Sequence, residues 1–214
     1  MKNYIPYGKQ TISKDDFASV IKSLKSDFIT KGPMVSRFET AFKNKIKSKF
    51  AISCSSGTSA IHLALMSINL KKGDNIIIPS INFVAAANIS KLMGANIYLA
   101  DVNPHTGQSS PKDIYDCYIK NKIKKLKAFF SMYNGGAPND VKKFFDLKKK
   151  LNCYFIEDAC HALGSKYSIK KNEIVGNCKK SDICTFSLHP LKSITTGEGG
   201  VLCTNSEKIF RSAS

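Results

Sequence analysis

Two hydrophobic periods take turns along this 214-residue chain, and that alternation limits the folds open to it more than any other feature. Short apolar runs that read as buried strands fall at 50–53, 75–78, 96–100, 126–131, 153–156 and 182–186. Helical stretches at 59–70, 83–93, 111–119 and 141–151 lie between most of them. Ahead of the first strand, Ser13 with Asp16 reads as a helix start, followed by Phe17, Val20, Ile21 and Leu24 at helical spacing. Pro33 opens a second helix carrying Val35, Phe38, Phe42 and Ile46 on one side. The expectation is an α/β chain with a mainly parallel sheet between helices. Ligands of such sheets bind outside the carboxyl ends of the strands, so the residues after each strand are the ones to read for chemistry.

Three of those segments carry chemical groups. After the first strand comes Cys54-Ser55-Ser56-Gly57-Thr58-Ser59-Ala60, running into a helix. Small residues let the backbone approach an anion, and a helix start offers free N–H groups and a favourable dipole. The same letters also suit a plain Ser/Gly cap, and no Walker lysine follows. The fifth strand ends in Glu157-Asp158-Ala159-Cys160-His161. A carboxylate there is either a structural ion-pair partner or a group that meets a ligand, and an aspartate could keep a pyridine nitrogen protonated. The sixth leads through Phe186-Ser187-Leu188-His189-Pro190-Leu191-Lys192 to Ser193-Ile194-Thr195-Thr196-Gly197-Glu198-Gly199-Gly200. An amine placed so can condense with an aldehyde once desolvated, although a lone lysine in a turn is ordinarily a surface group.

Composition excludes other classes. No apolar run reaches the ~18 residues of a membrane span, and the start lacks the apolar stretch of a secretory signal, which points to the cytoplasm. The seven cysteines have no paired spacing and the four histidines no i,i+4 pair, so reduced, mostly buried thiols are expected and no metal site. The formal charge of +17 is concentrated in runs such as 120–127 and 142–150, broken by Ile123, Leu126, Phe144, Phe145 and Leu147. Runs of that form read as wet faces of ordinary elements. No nucleic-acid module accompanies them, so neither nucleic acid nor membrane is an expected partner.

The order of these segments resembles the DegT/DnrJ/StrS family of pyridoxal 5′-phosphate (PLP)-dependent nucleotide-sugar aminotransferases. The likeness rests on Phe28-Ile29-Thr30-Lys31-Gly32-Pro33, on Ser56-Gly57-Thr58-Ser59-Ala60-Ile61-His62, and on Asn82-Phe83-Val84-Ala85-Ala86-Ala87-Asn88. It continues through Ile156-Glu157-Asp158-Ala159-Cys160-His161-Ala162-Leu163-Gly164 to Lys192 and the glycines that follow. The resemblance implies that 1–214 is the N-terminal part and most of an aspartate-aminotransferase-like, PLP-binding large domain (fold type I), without the carboxyl-terminal small domain of the family. It implies that Lys192 joins the cofactor and, once released, moves the proton between C4′ and the substrate carbon. Asp158 would partner the pyridine nitrogen, Phe83 would stack on the ring, and His161 would contact it near the phenolic oxygen. Thr58, Ser59 and Ser187 would hold the phosphate.

Ile5-Pro6-Tyr7-Gly8-Lys9-Gln10, Leu24-Lys25-Ser26-Asp27-Phe28 and Val175-Gly176-Asn177-Cys178 are most similar to the pseudaminic-acid branch. That branch implies transfer of the amino group of L-glutamate to C4 of a UDP-linked 4-keto-6-deoxy-N-acetyl-hexosamine, with ping-pong kinetics, in a homodimer. The alternatives are another NDP-4-keto sugar, as in perosamine synthesis, or an inactive remnant, because the chain stops at Arg211-Ser212-Ala213-Ser214 where the family continues. Lys192 speaks against the 3-dehydratase branch, which carries His at that position. Tyr133-Asn134-Gly135-Gly136 departs from the family, which usually has His or Tyr directly before a Gly there.

Overall fold

All six runs read as strands form strands: β1 (Phe50–Cys54), β2 (Asn75–Pro79), β3 (Asn96–Ala100), β4 (Leu126–Met132), β5 (Tyr154–Asp158) and, after a short hairpin of β6 (Lys166–Ser168) and β7 (Glu173–Ile174), β8 (Ile183–Ser187). The sequence reading left 200–204 unassigned, and it is a further strand, β9 (Gly200–Thr204). The computed structural model describes residues 6, 8–138 and 140–214, so Ile5 and Tyr7 of the opening stretch lie outside the described residues. One seven-stranded sheet has the order β1-β9-β8-β5-β4-β2-β3. Its contacts are parallel from β3 through β2, β4 and β5 to β8, while β9 lies antiparallel between β8 and β1.

The helices follow from local chemistry. Ser13 and Asp16 form a reciprocal capping box that starts α1 (Lys14–Leu24). Pro33 occupies the first turn of α2 (Pro33–Ile46), where its missing N–H costs nothing. Ser56 caps α3 (Gly57–Ser67), which stops before the expected residue 70 because Asn69 turns left-handed (φ 54°) and the Leu70 N–H returns to the Leu65 carbonyl at 3.1 Å. The next helix, α4 (Ala85–Leu92), begins two residues later than expected, so Phe83 stays in the loop before it. A second capping box, Ser110 with Asp113, starts α5 (Pro111–Lys120), and α6 (Val141–Leu151) matches its expected limits. A short α7 (Glu207–Ala213), absent from the sequence reading, closes the described chain.

The inner strands β2, β4, β5, β8 and β9 are buried on both faces, as a covered sheet requires, while the edge strand β3 stays partly exposed. On one face Ile52, Ile78, Phe130, Ile156, Ile183 and Leu202 meet Ile61 and Leu65 of α3, Ala85 of α4 and Ile209 of α7. On the other, Ile77, Phe129 and Phe155 pack on Ile114 of α5 and on Phe144 and Leu147 of α6. There too Phe186 and Cys203 meet Phe42 and Ile46 of α2. The apolar stripe of α1 has the predicted spacing, yet Phe17, Val20, Ile21 and Leu24 are all exposed.

Candidate active site

The carboxyl ends of β1, β2, β4, β5 and β8 open into a cleft of about 880 Å³, within the range of small-molecule sites. Among its lining residues are Thr58, Phe83, Asp158, His161, Ser187 and Lys192, brought together from four separate segments. Ser59, read with them from the sequence, does not line the cleft. Its hydroxyl lies 2.9 Å from that of Ser55 and 3.0 Å from that of Ser56, and its N–H donates to Ser56 Oγ at 3.1 Å.

Strand alternation decides which carboxylate faces the cleft. The expected strand 153–156 would have left both acids in a loop, but β5 runs through Asp158, so the two side chains point to opposite faces. Asp158 shares the face of Ile156, toward α3. It is 2% exposed, and its Oδ1 accepts the Cys160 N–H at 3.1 Å. Burial pushes its carboxyl above the usual range, opposed by the Cys160 hydrogen bonds and then by the charges of His161 and Lys192. His161 is held below its ordinary value, first by burial and then by the Lys192 ammonium.

Glu157 faces the other way and is fully buried. One of its oxygens accepts the hydroxyls of Tyr133 and of Tyr167, the latter at 2.6 Å, and the other accepts Ser181. Burial raises its carboxyl despite these three donors. The acid pair therefore divides its work. Asp158 faces a ligand, while Glu157 fastens the strand end to the hairpin and to the Tyr133 turn, whose Asn134 and Gly135 line the cleft.

At the α3 end of the cleft, the Gly57 and Thr58 N–H groups come before the helix's own bonding pattern begins. Four segments meet here without room for a methyl group. A Cβ on Gly57 would sit 2.9 Å from Ser187 Cβ and 3.1 Å from Cys160 Sγ. One on Gly200 would sit 2.1 Å from the Ser56 carbonyl oxygen. Lys192, half-buried, rides on the loop from β8 to β9, which is tied at its base by Leu188 N–H to Gly199 O (2.8 Å) and Thr196 N–H to Leu188 O (3.1 Å). Its own N–H closes a turn onto the His189 carbonyl at 2.9 Å.

The sequence reading did not single out Asn82, Asn134, His189 or Glu198, which also line the cleft. Each follows a strand's carboxyl end or sits in the β8–β9 loop, so the strand-end rule contained the signal for them. The Asn82 amide is the most informative, because both its oxygen and its nitrogen are buried without a protein partner. In the altered turn, Gly136 (φ 82°) passes so close to His161 that a Cβ would lie 2.6 Å from its carbonyl oxygen. All seven cysteines are free, and Cys117, Cys178, Cys184 and Cys203 are buried.

The mainly parallel sheet between helices, with its cleft at the strand ends, matches the fold of PLP-dependent aminotransferases. The chain belongs to the DegT/DnrJ/EryC1/StrS aminotransferase family, whose sequence profile matches residues 10–214. Aminotransferases of this family are PLP-dependent. GDP-perosamine synthase of Escherichia coli O157:H7 is 35% identical over 209 residues, 97% of this chain and 55% of that protein. Among solved structures, the Helicobacter pylori aminotransferase PseC, involved in the biosynthesis of pseudoaminic acid, superposes with a TM-score of 0.85 at 29% identity, covering 97% of this chain and 54% of that one. The PLP-form of a Streptococcus pneumoniae sugar aminotransferase, at 24% identity and a TM-score of 0.84, shares the fold over 96% of this chain and 54% of its own. The chain spans about half the length of the relatives it matches.

Proposed function

We propose that the cleft binds PLP and serves amino-group transfer to a nucleotide-linked keto sugar. The observation that carries this reading is the convergence of Asp158, Lys192 and the α3 start on one cleft from strands far apart in sequence. The residues present fit the cofactor's three kinds of group. The Gly57 and Thr58 N–H groups and the Ser187 hydroxyl suit a phosphate, and Gly57 and Gly200 let the segments that carry them pack together. Asp158 suits a pyridine N–H, since burial leaves its carboxylate few partners other than Cys160. Phe83 offers an exposed ring to the cleft, and the orphaned Asn82 amide offers a donor and an acceptor.

When bound, PLP supplies an aldehyde that condenses with amines and a ring that accepts electrons. Lys192 would provide the amine that holds it and would then carry a proton to or from the reacting carbon. Asp158 would pair with the ring nitrogen and favour its protonated form. His161, held below its ordinary value by burial and by the Lys192 charge, would stand near the ring without adding a second positive charge. Ser59 acts indirectly, fixing Ser55 and Ser56 at the helix start.

The finer reading is transfer from L-glutamate to C4 of a UDP-4-keto-6-deoxy-N-acetyl-hexosamine, in a homodimer. It is supported by the branch-like segments of the sequence and by the likeness to PseC. The 35% identity to GDP-perosamine synthase favours one alternative, another NDP-4-keto sugar. The test is the visible spectrum of the protein with PLP, before and after borohydride. A yellow protein that bleaches, with the reduced label mapped to Lys192, bears the proposal out. A protein that stays colourless at saturating PLP, or a label on another lysine, refutes it.

A further inference from the structure

The lysines that the sequence distributes in runs are gathered by the fold at one end of the molecule. Exposed lysines lie just ahead of the strands: Lys49 before β1, Lys71 and Lys72 before β2, Lys91 before β3, and Lys124 and Lys125 before β4. Lys149 and Lys150 precede β5, and Lys179 precedes β8. Because these strands are parallel, all of these turns lie at the amino ends, opposite the cleft.

Hydrogen bonds join neighbouring turns of that end. The Lys49 N–H donates to Asn205 Oδ1 at 2.7 Å, and Asn205 Nδ2 donates to the Asn177 and Cys178 carbonyls beside Lys179. Asn75 Nδ2 donates to the Lys125 carbonyl at 2.8 Å, and Asn96 Nδ2 to the Gly73 carbonyl at 3.1 Å. Several strand starts are level with one another, Asn75 with Asn96 and with Leu126, and both Phe50 and Ile183 with Thr204, while β5 and β8 each start two residues along from their neighbour. At ~4.8 Å per strand, seven strands make this face about 30 Å wide.

Local compensation does not account for the charge. Helices α2 to α6 end at this face, and each contributes about half a negative charge, which last-turn residues such as Lys45, Lys91, Lys120 and Lys149 already meet. Asp74 and Asp182 in these turns are held by Lys127 (3.8 Å) and Lys148 (2.6 Å), and Glu207 by Arg211. Lys49, Lys71, Lys72, Lys124, Lys125 and Lys179, beyond the helix ends, are exposed and take part in none of the ion pairs among the described residues.

We propose that this amino-end face docks on an anionic phospholipid bilayer and holds the cleft facing away from it. A lipid surface suits the face better than nucleic acid does. The face is built from turns, with no element projecting to enter a groove, and it carries lysine point charges rather than arginine forks. The arginines are Arg37, on α2, and Arg211, which is paired to Glu207. A bilayer responds to the number of positive charges on one side, and each lysine near an anionic surface contributes several-fold to binding. This inference concerns the opposite end of the sheet from the cleft and stands independently of the cofactor reading.

The test is co-sedimentation of the whole chain with vesicles of phosphatidylserine and phosphatidylcholine, against phosphatidylcholine alone, at low and high salt. Binding to the anionic vesicles only, reversed by salt, is expected. The triple variant Lys71→Gln, Lys124→Gln, Lys125→Gln should bind at least about tenfold more weakly. A control with the same charge change at the other end, Lys31→Gln, Lys142→Gln, Lys143→Gln, should bind as the parent does; circular dichroism checks that both variants are folded. Equal loss in the two variants would overturn the assignment to this face. So would absence of binding at low salt, or binding to RNA with none to the vesicles.

Discussion

Removing the Glu157 carboxylate should unfold the protein more readily by an amount the structure lets one work out. In Glu157→Ala the hydroxyls of Tyr133, Tyr167 and Ser181 lose their acceptor in the interior. Tyr133 is 0% exposed and Ser181 7%. A buried donor left unsatisfied costs about 1–3 kcal/mol, and the truncated side chain adds a cavity; relief of the carboxylate's own desolvation offsets part of this. The net loss should be about 3–5 kcal/mol, a large share of a typical domain's stability. Glu157→Gln keeps the shape and one acceptor oxygen, so its loss should be about 1–2 kcal/mol. Urea unfolding measures both. The sign of the pH dependence gives a second check. The folded carboxyl sits above its unfolded value of 4.5, so the folded state holds the proton more tightly. Stability should therefore fall as pH rises from 4.5 through the raised folded value. The parent should show this component and Glu157→Gln should lack it. A Glu157→Ala protein within 1 kcal/mol of the parent, or identical pH profiles for the parent and Glu157→Gln, would refute the argument.

Other outcomes follow from the cleft and its seam. Gly200→Ala sets a methyl 2.1 Å from the Ser56 carbonyl oxygen and 2.8 Å from the Gly57 nitrogen, both backbone atoms, so it should cost about 3 kcal/mol in urea unfolding. PLP affinity should drop with it, and unchanged values of both would dismiss the seam. Lys192→Ala removes a charge that holds His161 down and helps hold Asp158 down, so the His161 titration followed by NMR should move upward. The Cys153 and Cys203 thiols are pushed up to about 12 by burial, which leaves a thiolate fraction of about one in ten thousand at pH 8. Thiol reagents should label the buried Cys203 only after unfolding and the half-buried Cys153 slowly, and rapid native labelling of Cys203 would contradict its placement.

How much was legible from sequence depended on whether a signal was local. The six parallel-direction strands and six of the helices could be read from periodicity, Pro33 and the Ser13 start. Lys192, Asp158 and Thr58 could be placed near one another because the strand-end rule needs only the order of elements. β9 escaped because its five residues follow a glycine-rich stretch that reads as loop, although Val201-Leu202-Cys203 is an apolar run. The split between Glu157 and Asp158 escaped for a different reason. It turns on whether β5 ends at residue 156 or at 158, and two residues of strand reverse what a pair of neighbours can do. The three hydroxyls on Glu157 come from Tyr133, Tyr167 and Ser181, and no spacing rule links those positions. The basic face, likewise, exists only once the turns are assembled.

The seam around Gly57 and Gly200 also bears on the order in which the molecule can be made. Among the described residues, strand β1, which leads into α3, pairs with β9 alone, and β9 comes after the other strands of that sheet. Closing such a long loop costs entropy before any contact returns it, so this pairing belongs to the late stages of folding. A chain with β2 to β5 already assembled would carry Asp158 on its strand but would lack the α3 floor of the cleft. Ligand binding there would then count finished molecules only, and its rate of appearance during refolding would clock the final closure of the sheet.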